Sequence, residues 1–573
     1  MPEYAQHYDI LVERRVAVRM RDGTLLRADV YRPQTAGRWP VILMRFVIDP
    51  AVDDVAEMGT FFARRGFAFV YNDVRGTARS DGEFFPMVDE AWGEKRDGYD
   101  TVEWAGHQPW SNGRVGLIGT SYGAFNQYTT APLRPPSLAA CMPFYGSNIH
   151  ETVFPGGIYR LEEHRGWAMW MALNCLDNQV APASRELVRA RLEAARADHD
   201  SWFWHLPVTE CPPLAGVSPW HFEHLTHPID PQWWARTDAR TRLDEIDVPM
   251  LHVGGWYDLY LNGTLEHFTG LVEQGRTAQC RASQCLLVGP WTHGWCDTPA
   301  PPSPLDFGPQ AIVDFKEIGL RWFDRWLNGA TGEDVADESA VHLFLMGENR
   351  WIGMDEWPPA DVTYTPLYLR QGTGRTAASL NNGHLTFEAP NTEEQADSFA
   401  YDPGDPVIGH HGSSPTVEID QREREGRLLT FTSEILQEPL VVIGPITAVL
   451  YAASSAPDTD WVVRLCDVWP DGRSVRVCDG IIRARYRNSP DREELLTPGQ
   501  VYRYEVDMTA TAQTFLPGHR MRVHVTSSDF PRYDRNLNTG KPFGEEVASQ
   551  IAINSVFHDT QRSSRIILPI RHS

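Results

Sequence analysis

The chain has 573 residues, beyond the length at which a single core stops growing, so two or three domains are expected. Hydrophobic residues make up 42% and charged residues 22%, an ordinary globular composition with enough apolar material for a large core. With 76 acidic against 52 basic residues the formal net charge is −24, a surface that repels phosphate backbones and anionic lipid and so argues against nucleic acid and membrane partners.

The opening "MPEYAQHYDILVERRVAVRM" lacks the apolar centre of a signal peptide, and no run of 18 apolar residues suggests a membrane span. From about residue 15 to 360, short apolar runs alternate with helix-like segments. "WPVILMRF" (39–46), "FAFVYND" (67–73), "RVGLIG" (114–119), "VPMLHVGG" (248–255) and "CLLVGP" (285–290) read as buried strands of a mostly parallel sheet covered on both faces. Between about 146 and 240 the strand signal fades. There "SRELVRARLEAARADH" places Leu187, Val188, Leu192 and Ala195 at helical spacing, with Ser184 as a cap and Glu186 in the first turn. This segment also holds Trp167, Trp170, Trp202, Trp204, Trp220, Trp233 and Trp234, as expected of a helical cap over a site. Beyond about 360, "VTYTPLYLR", "LLTFTSEIL", "PLVVIGPITAVLYAAS", "DWVVRLCDVW" and "RMRVHVTSS" are strand-like and spaced by turn residues, which predicts a β-sandwich or jelly roll. The predicted division is therefore 1–145 and 241–360 for an α/β core, 146–240 for the cap and 361–573 for the β domain.

Eight cysteines, at 141, 175, 211, 280, 285, 296, 466 and 478, show no CxxC pairing for zinc and are too sparse for a disulfide scaffold. Reduced thiols in a cytoplasmic protein is the reading they support.

Residues 119–123 spell Gly-Thr-Ser-Tyr-Gly, a Gly-x-Ser-x-Gly match between a plausible strand and a plausible helix. Such a sharp turn projects the Ser121 hydroxyl from the sheet edge and sets the helix N-terminus beside it, where an oxyanion would form. A serine between glycines is also common in ordinary turns, so partners are needed. Asp258 follows the strand ending at Gly254–Gly255, and His293 follows the strand ending at Gly289–Pro290. Singly, Asp258 reads as a helix cap and His293 as a surface histidine. Together, three positions after strands in the order Ser, acid, His predict a Ser121–His293–Asp258 triad.

Stretches along nearly the whole chain carry a resemblance: "RDGTLLRADVYRP", "NDVRGTARSDGEF", "GTSYG", "GGWYD", "GPWTHG", "RWFDRWLNG", "YDPGDPV" and "LPGHRMRVHVTSSDFPRYDRNLNTG". The sequence resembles the bacterial cocaine esterase group, related to X-Pro dipeptidyl-peptidases and α-amino-acid ester hydrolases. The resemblance implies an α/β-hydrolase core with an inserted helical cap and a C-terminal jelly roll. It also implies nucleophile, acid and base roles for Ser121, Asp258 and His293, with no metal or organic cofactor.

Two positions depart from the family pattern. The second glycine of the motif is usually three residues after the serine, where this chain has Ala124; alanine is small enough for close helix–strand packing. The family's oxyanion tyrosine, in an "RNPYD"-like segment, falls at Ile48 of "RFVID", and isoleucine donates no hydrogen bond. The Tyr122 backbone N–H remains as one donor, while loss of the other costs roughly 3–4 kcal/mol of transition-state stabilisation. Trp167 and Tyr260 match family pocket positions and imply a bulky apolar or aromatic acyl group. Glu162 and Glu163 read as a solvated helix face. The expected partner is a small-molecule ester or amide. Three activities stay open at this point: a hydrolase, an acyltransferase using the same triad, and a non-catalytic binding protein on this scaffold. Homo-oligomerisation is left open as well.

Overall fold

The computed structural model describes residues 7–48, 53–294, 305–330, 339–409 and 420–572. The N-terminal half is organised by a 10-stranded sheet. Its strands are β1 (Ile10–Arg19), β2 (Leu25–Pro33), β3 (Trp39–Phe46), β4 (Ala68–Asp73), β5 (Ser111–Thr120), β6 (Leu138–Phe144), β7 (Met250–Gly255), β8 (Gln284–Gly289), β9 (Val341–Leu345) and β10 (Arg350–Met354). The spatial order is β1-β2-β4-β3-β5-β6-β7-β8-β9-β10. From β4 to β9 in that order every neighbouring pair is parallel, and antiparallel strands close both edges. Strands β4, β7 and β8 are buried along their whole length, as continuous apolar runs between two layers of helices require. The five predicted strands are all present; β5 begins at Ser111 rather than at 114.

Because these strands are parallel, their carboxyl ends share one edge, and the loops after β3, β5, β7 and β8 open there together. Over that edge lies the chain between β6 and β7, with helices Leu161–Asn174, Arg185–Ala197 and Pro219–Thr226. Two details differ from the sequence reading of Arg185–Ala197. Ser184 occupies the N-cap position but its side chain accepts no capping hydrogen bond. Leu187 is 76% exposed, so Leu192 and Ala195 alone are buried on that helix.

Strands from Val362 to Arg571 belong to a separate 11-stranded sheet system, whose inward side chains build a core of their own around Trp461, Tyr504, Val523 and Leu568. This is the jelly roll. It holds the cap directly: Trp204 packs on Phe530 at 4.6 Å between ring centroids, and the Glu162 N–H at the start of Leu161–Asn174 donates to Pro531 O (3.2 Å). That helix has no capping side chain, so a jelly-roll carbonyl satisfies one of its orphan N–H groups. Seven cysteines are buried and free, and Cys296 lies outside the described residues. Among the described residues no helix is long and apolar enough to cross a membrane.

Candidate active site

Ser121 sits between β5 and helix Tyr122–Thr130 with φ 54° and ψ −119°, a conformation held by what surrounds it. Gly119 has φ 158°, and a Cβ there would lie 3.0 Å from the Gly123 Cα, so the two glycines let strand and helix close around the serine. Ala124, at the family's usual glycine position, is fully buried against Gly146, where a Cβ would come within 2.9 Å of the Ala124 Cβ. The missing side chain at 146 makes room for the one present at 124.

Asp258, in the loop after β7, uses its two oxygens differently. Oδ1 accepts the Tyr260 N–H (2.7 Å) just before helix Leu261–Gln274, and Oδ2 accepts from His293 Nδ1 (2.6 Å). Asp258 is thus not the helix cap that its position alone suggests: the N-cap is Tyr260, and no side chain caps that helix. His293 follows β8, and with Nδ1–H committed to Asp258 its Nε2 accepts the Ser121 hydroxyl (3.0 Å). The structure therefore brings Ser121, His293 and Asp258 into one hydrogen-bonded line. Burial disfavours the imidazolium of His293, but the Asp258 carboxylate and the Glu163 charge outweigh it, and the pKa lies above the usual 6.5. A serine hydroxyl so placed can attack a carbonyl while the imidazole takes its proton.

The line opens on a cavity of about 580 Å³. Phe46, Val47, Trp167, Met169, Trp170 and Phe203 form its apolar walls, and Trp167 stacks on the Tyr122 ring with centroids 6.4 Å apart. Tyr260, expected as a pocket wall, does not line it. It is buried, edge-on to the His293 ring at 4.8 Å and to Phe125 at 5.1 Å, where it braces the imidazole. Glu162 and Glu163, expected on a solvated helix face, are half-buried and line the cavity beside His293.

Ile48 is half-buried against the core, and its carbonyl accepts the Tyr71 hydroxyl (2.7 Å). It offers no side-chain donor, but its neighbour offers a backbone one. The Phe46 carbonyl is engaged by β4 through the Val74 N–H (3.0 Å), whereas the Arg45 carbonyl faces the other way and accepts from Asn126 in the serine's helix (2.8 Å). Val47 follows in the bend after β3; its N–H has no acceptor among the described residues, and the residue lines the cavity beside Ser121. The Tyr122 N–H is the first of its helix and has no intrahelical acceptor. Sequence reasoning missed Val47 because a backbone donor carries no residue-type signal.

Aligned over 580 residues, the chain is 34% identical to cocaine esterase of Rhodococcus sp. (strain MB1 Bresler), covering 97% of this chain and 98% of that one. The chain belongs to the cocaine esterase family. It is a serine hydrolase with an α/β-hydrolase core and a C-terminal β domain. Residues 22–295 match the X-Pro dipeptidyl-peptidase (S15) family and 333–567 match the X-Pro dipeptidyl-peptidase C-terminal non-catalytic domain. Two solved structures share the whole architecture. An aminopeptidase from the marine sediment archaeon Thaumarchaeota archaeon is 26% identical with TM-score 0.81, covering 100% of this chain and 98% of that one. An α-amino acid ester hydrolase is 25% identical with TM-score 0.79, covering 98% of this chain and 97% of that one.

Proposed function

We propose that this family member hydrolyses a carboxylic ester or amide through an acyl-enzyme on Ser121, with a bulky apolar or aromatic acyl group. The observation that carries the reading is the line Ser121–His293–Asp258, 3.0 and 2.6 Å long, opening on an aromatic-walled cavity. His293 Nε2 takes the hydroxyl proton as Ser121 Oγ bonds to the carbonyl carbon, and Asp258 stabilises the imidazolium. The N–H groups of Tyr122 and Val47 receive the oxyanion, the second supplying from the backbone what Ile48 cannot supply from its side chain. His293 then protonates the leaving group, and water attacking the acyl-enzyme releases the acid.

Trp167 and Trp170 favour a flat, apolar acyl group in the cavity. Glu162 and Glu163 favour an ammonium on the same substrate, in keeping with the amino-acid ester and peptide substrates that the names of the two structural relatives indicate. The division 1–145, 146–240, 241–360 and 361–573 is our domain assignment, supported by the change of sheet between Met354 and Val362. Cytoplasmic residence is likewise proposed, supported by the buried unpaired cysteines.

Kinetics on 4-nitrophenyl benzoate and acetate test this reading. The benzoate is expected to have the higher kcat/KM, with benzoic acid as product even when an alcohol is added. A preference for acetate would remove the acyl assignment, and benzoyl transfer to the alcohol would replace hydrolysis by acyl transfer.

A further inference from the structure

On the far side of His293 a second cavity, about 110 Å³, lies where core, cap and jelly roll meet. It shares His293, Glu162 and Glu163 with the cavity at Ser121, so the two adjoin at the imidazole. Its jelly-roll wall is basic. Arg464, on strand Asp460–Val468, faces Asp479 across the ladder to strand Ser474–Arg483. Asp479 accepts from Arg476 (3.0 Å) and Arg532 (2.7 Å), and Asp529 pairs with Arg532 (3.3 Å) and Arg464 (3.2 Å). Three guanidiniums thus share two carboxylates on the jelly-roll wall, while Glu162, Glu163 and Asp258 line the side nearer Ser121. Burial alone would raise the Asp479 pKa, yet Arg532, Arg476 and Arg464 hold it far below the usual carboxylate range.

The donors of this wall are not all used. Arg464 is 2% exposed; its Nε lies 3.7 Å from Asp479 Oδ2, an ion pair too long for a hydrogen bond, and its Nη1 has no hydrogen-bond partner. On the cap side Arg160 is 7% exposed; its Nη1 donates to Leu259 O (3.1 Å), next to Asp258, while its Nε has no partner. Buried guanidinium N–H groups without a hydrogen-bond acceptor are costly, and an oxyanion there would satisfy them with charge-assisted hydrogen bonds.

The geometry points to a carboxylate subsite for the leaving group, formed by Arg464 and Arg160 beyond His293. It rests on Ser121 as the nucleophile. His293 Nε2 must protonate the departing oxygen, so the leaving group passes over the imidazole, and the space beyond is this second cavity. Glu162 and Glu163 flank the passage, so the carboxylate belongs at the distal end of the leaving group rather than beside the scissile bond. The substrate class is an ester or amide whose alcohol or amine carries a free acid.

Two esters isolate the charge: 4-(benzoyloxy)benzoate and its neutral amide, 4-(benzoyloxy)benzamide. The wild-type protein is expected to prefer the carboxylate by about tenfold or more in kcat/KM, the gain of a hydrogen bond to a charged group. In Arg464→Gln that ratio is expected to fall towards one, whatever happens to the rate common to both esters. Sulfate at matched ionic strength should compete with the carboxylate ester and spare the amide. Calorimetry with 4-hydroxybenzoate against 4-hydroxybenzamide reads the subsite without catalysis. Binding of the acid but not the amide, with Ser121 unreactive, would keep the subsite and sink the nucleophile. A reactive Ser121 with a ratio near one and no selective binding of the acid would overturn the subsite, even if sulfate binds.

Discussion

The two cavities that meet at His293 are built from different materials. The one at Ser121 has walls of Phe46, Trp167, Met169 and Trp170, and the oxyanion role we propose there falls to the backbone N–H groups of Tyr122 and Val47. The one beyond it is walled by guanidiniums and carboxylates carried in from the jelly roll and cap. The first can stabilise charge that exists only during reaction, because its donors are fixed and otherwise idle. The second can recognise charge the substrate brings with it. The cavities share His293, Glu162 and Glu163, but Ser121 lines only the first and Arg464 only the second, so those two residues can be disturbed separately.

The largest expected effect lies on the line both cavities share. Asp258→Asn keeps the shape but loses the tautomer of His293, and kcat should drop by about 10⁴-fold for charged and neutral leaving groups alike; a loss confined to one class of leaving group would break the comparison. Next is Val47→Pro, which removes one N–H where the preceding residue is already extended. Its kcat should fall by about 10²–10³-fold, and Ile48→Tyr should give little gain in the wild-type background. A large gain from Ile48→Tyr would mean that the backbone donor is not in use. A smaller, selective effect is expected of Trp167→Ala, which should lower kcat/KM for a benzoyl ester by about tenfold relative to an acetyl ester. Equal losses on both would take the tryptophan out of the acyl wall.

The smallest effect is a shift in pH dependence. His293 must be neutral to act as base, and its pKa is raised above 6.5 with Glu163 among the causes. The acid limb of kcat/KM should therefore fall above pH 6.5, and Glu163→Gln should move it to lower pH. A limb that does not move would separate Glu163 from the imidazole.

The first cavity was largely legible in the sequence and the second was not, for a physical reason. Ser121, Asp258 and His293 each follow an apolar strand within a few residues, and parallel strands bring such positions to one edge whatever lies between them. The fold class followed from the same strands. Arg160, Arg464, Arg476 and Arg532 have no such local mark. On strands Asp460–Val468 and Ser474–Arg483 the arginines read as ordinary polar positions, and only the folded chain brings Arg464 and Arg476 to one cavity with His293. Docking of the jelly roll against the cap explains Glu162 and Glu163, whose place at a helix start suggests solvent until Pro531 closes over it. Tyr260 failed differently: lying two residues past Asp258 marked it as near the site, but not which side of the imidazole it would take.

Treatment with a fluorophosphonate probe followed by mass spectrometry tests the central claim most directly. An activated serine with a working oxyanion site predicts rapid, stoichiometric labelling confined to Ser121, abolished in Ser121→Ala. A folded protein that stays unlabelled, or is labelled elsewhere, would contradict the account of Ser121 as the nucleophile.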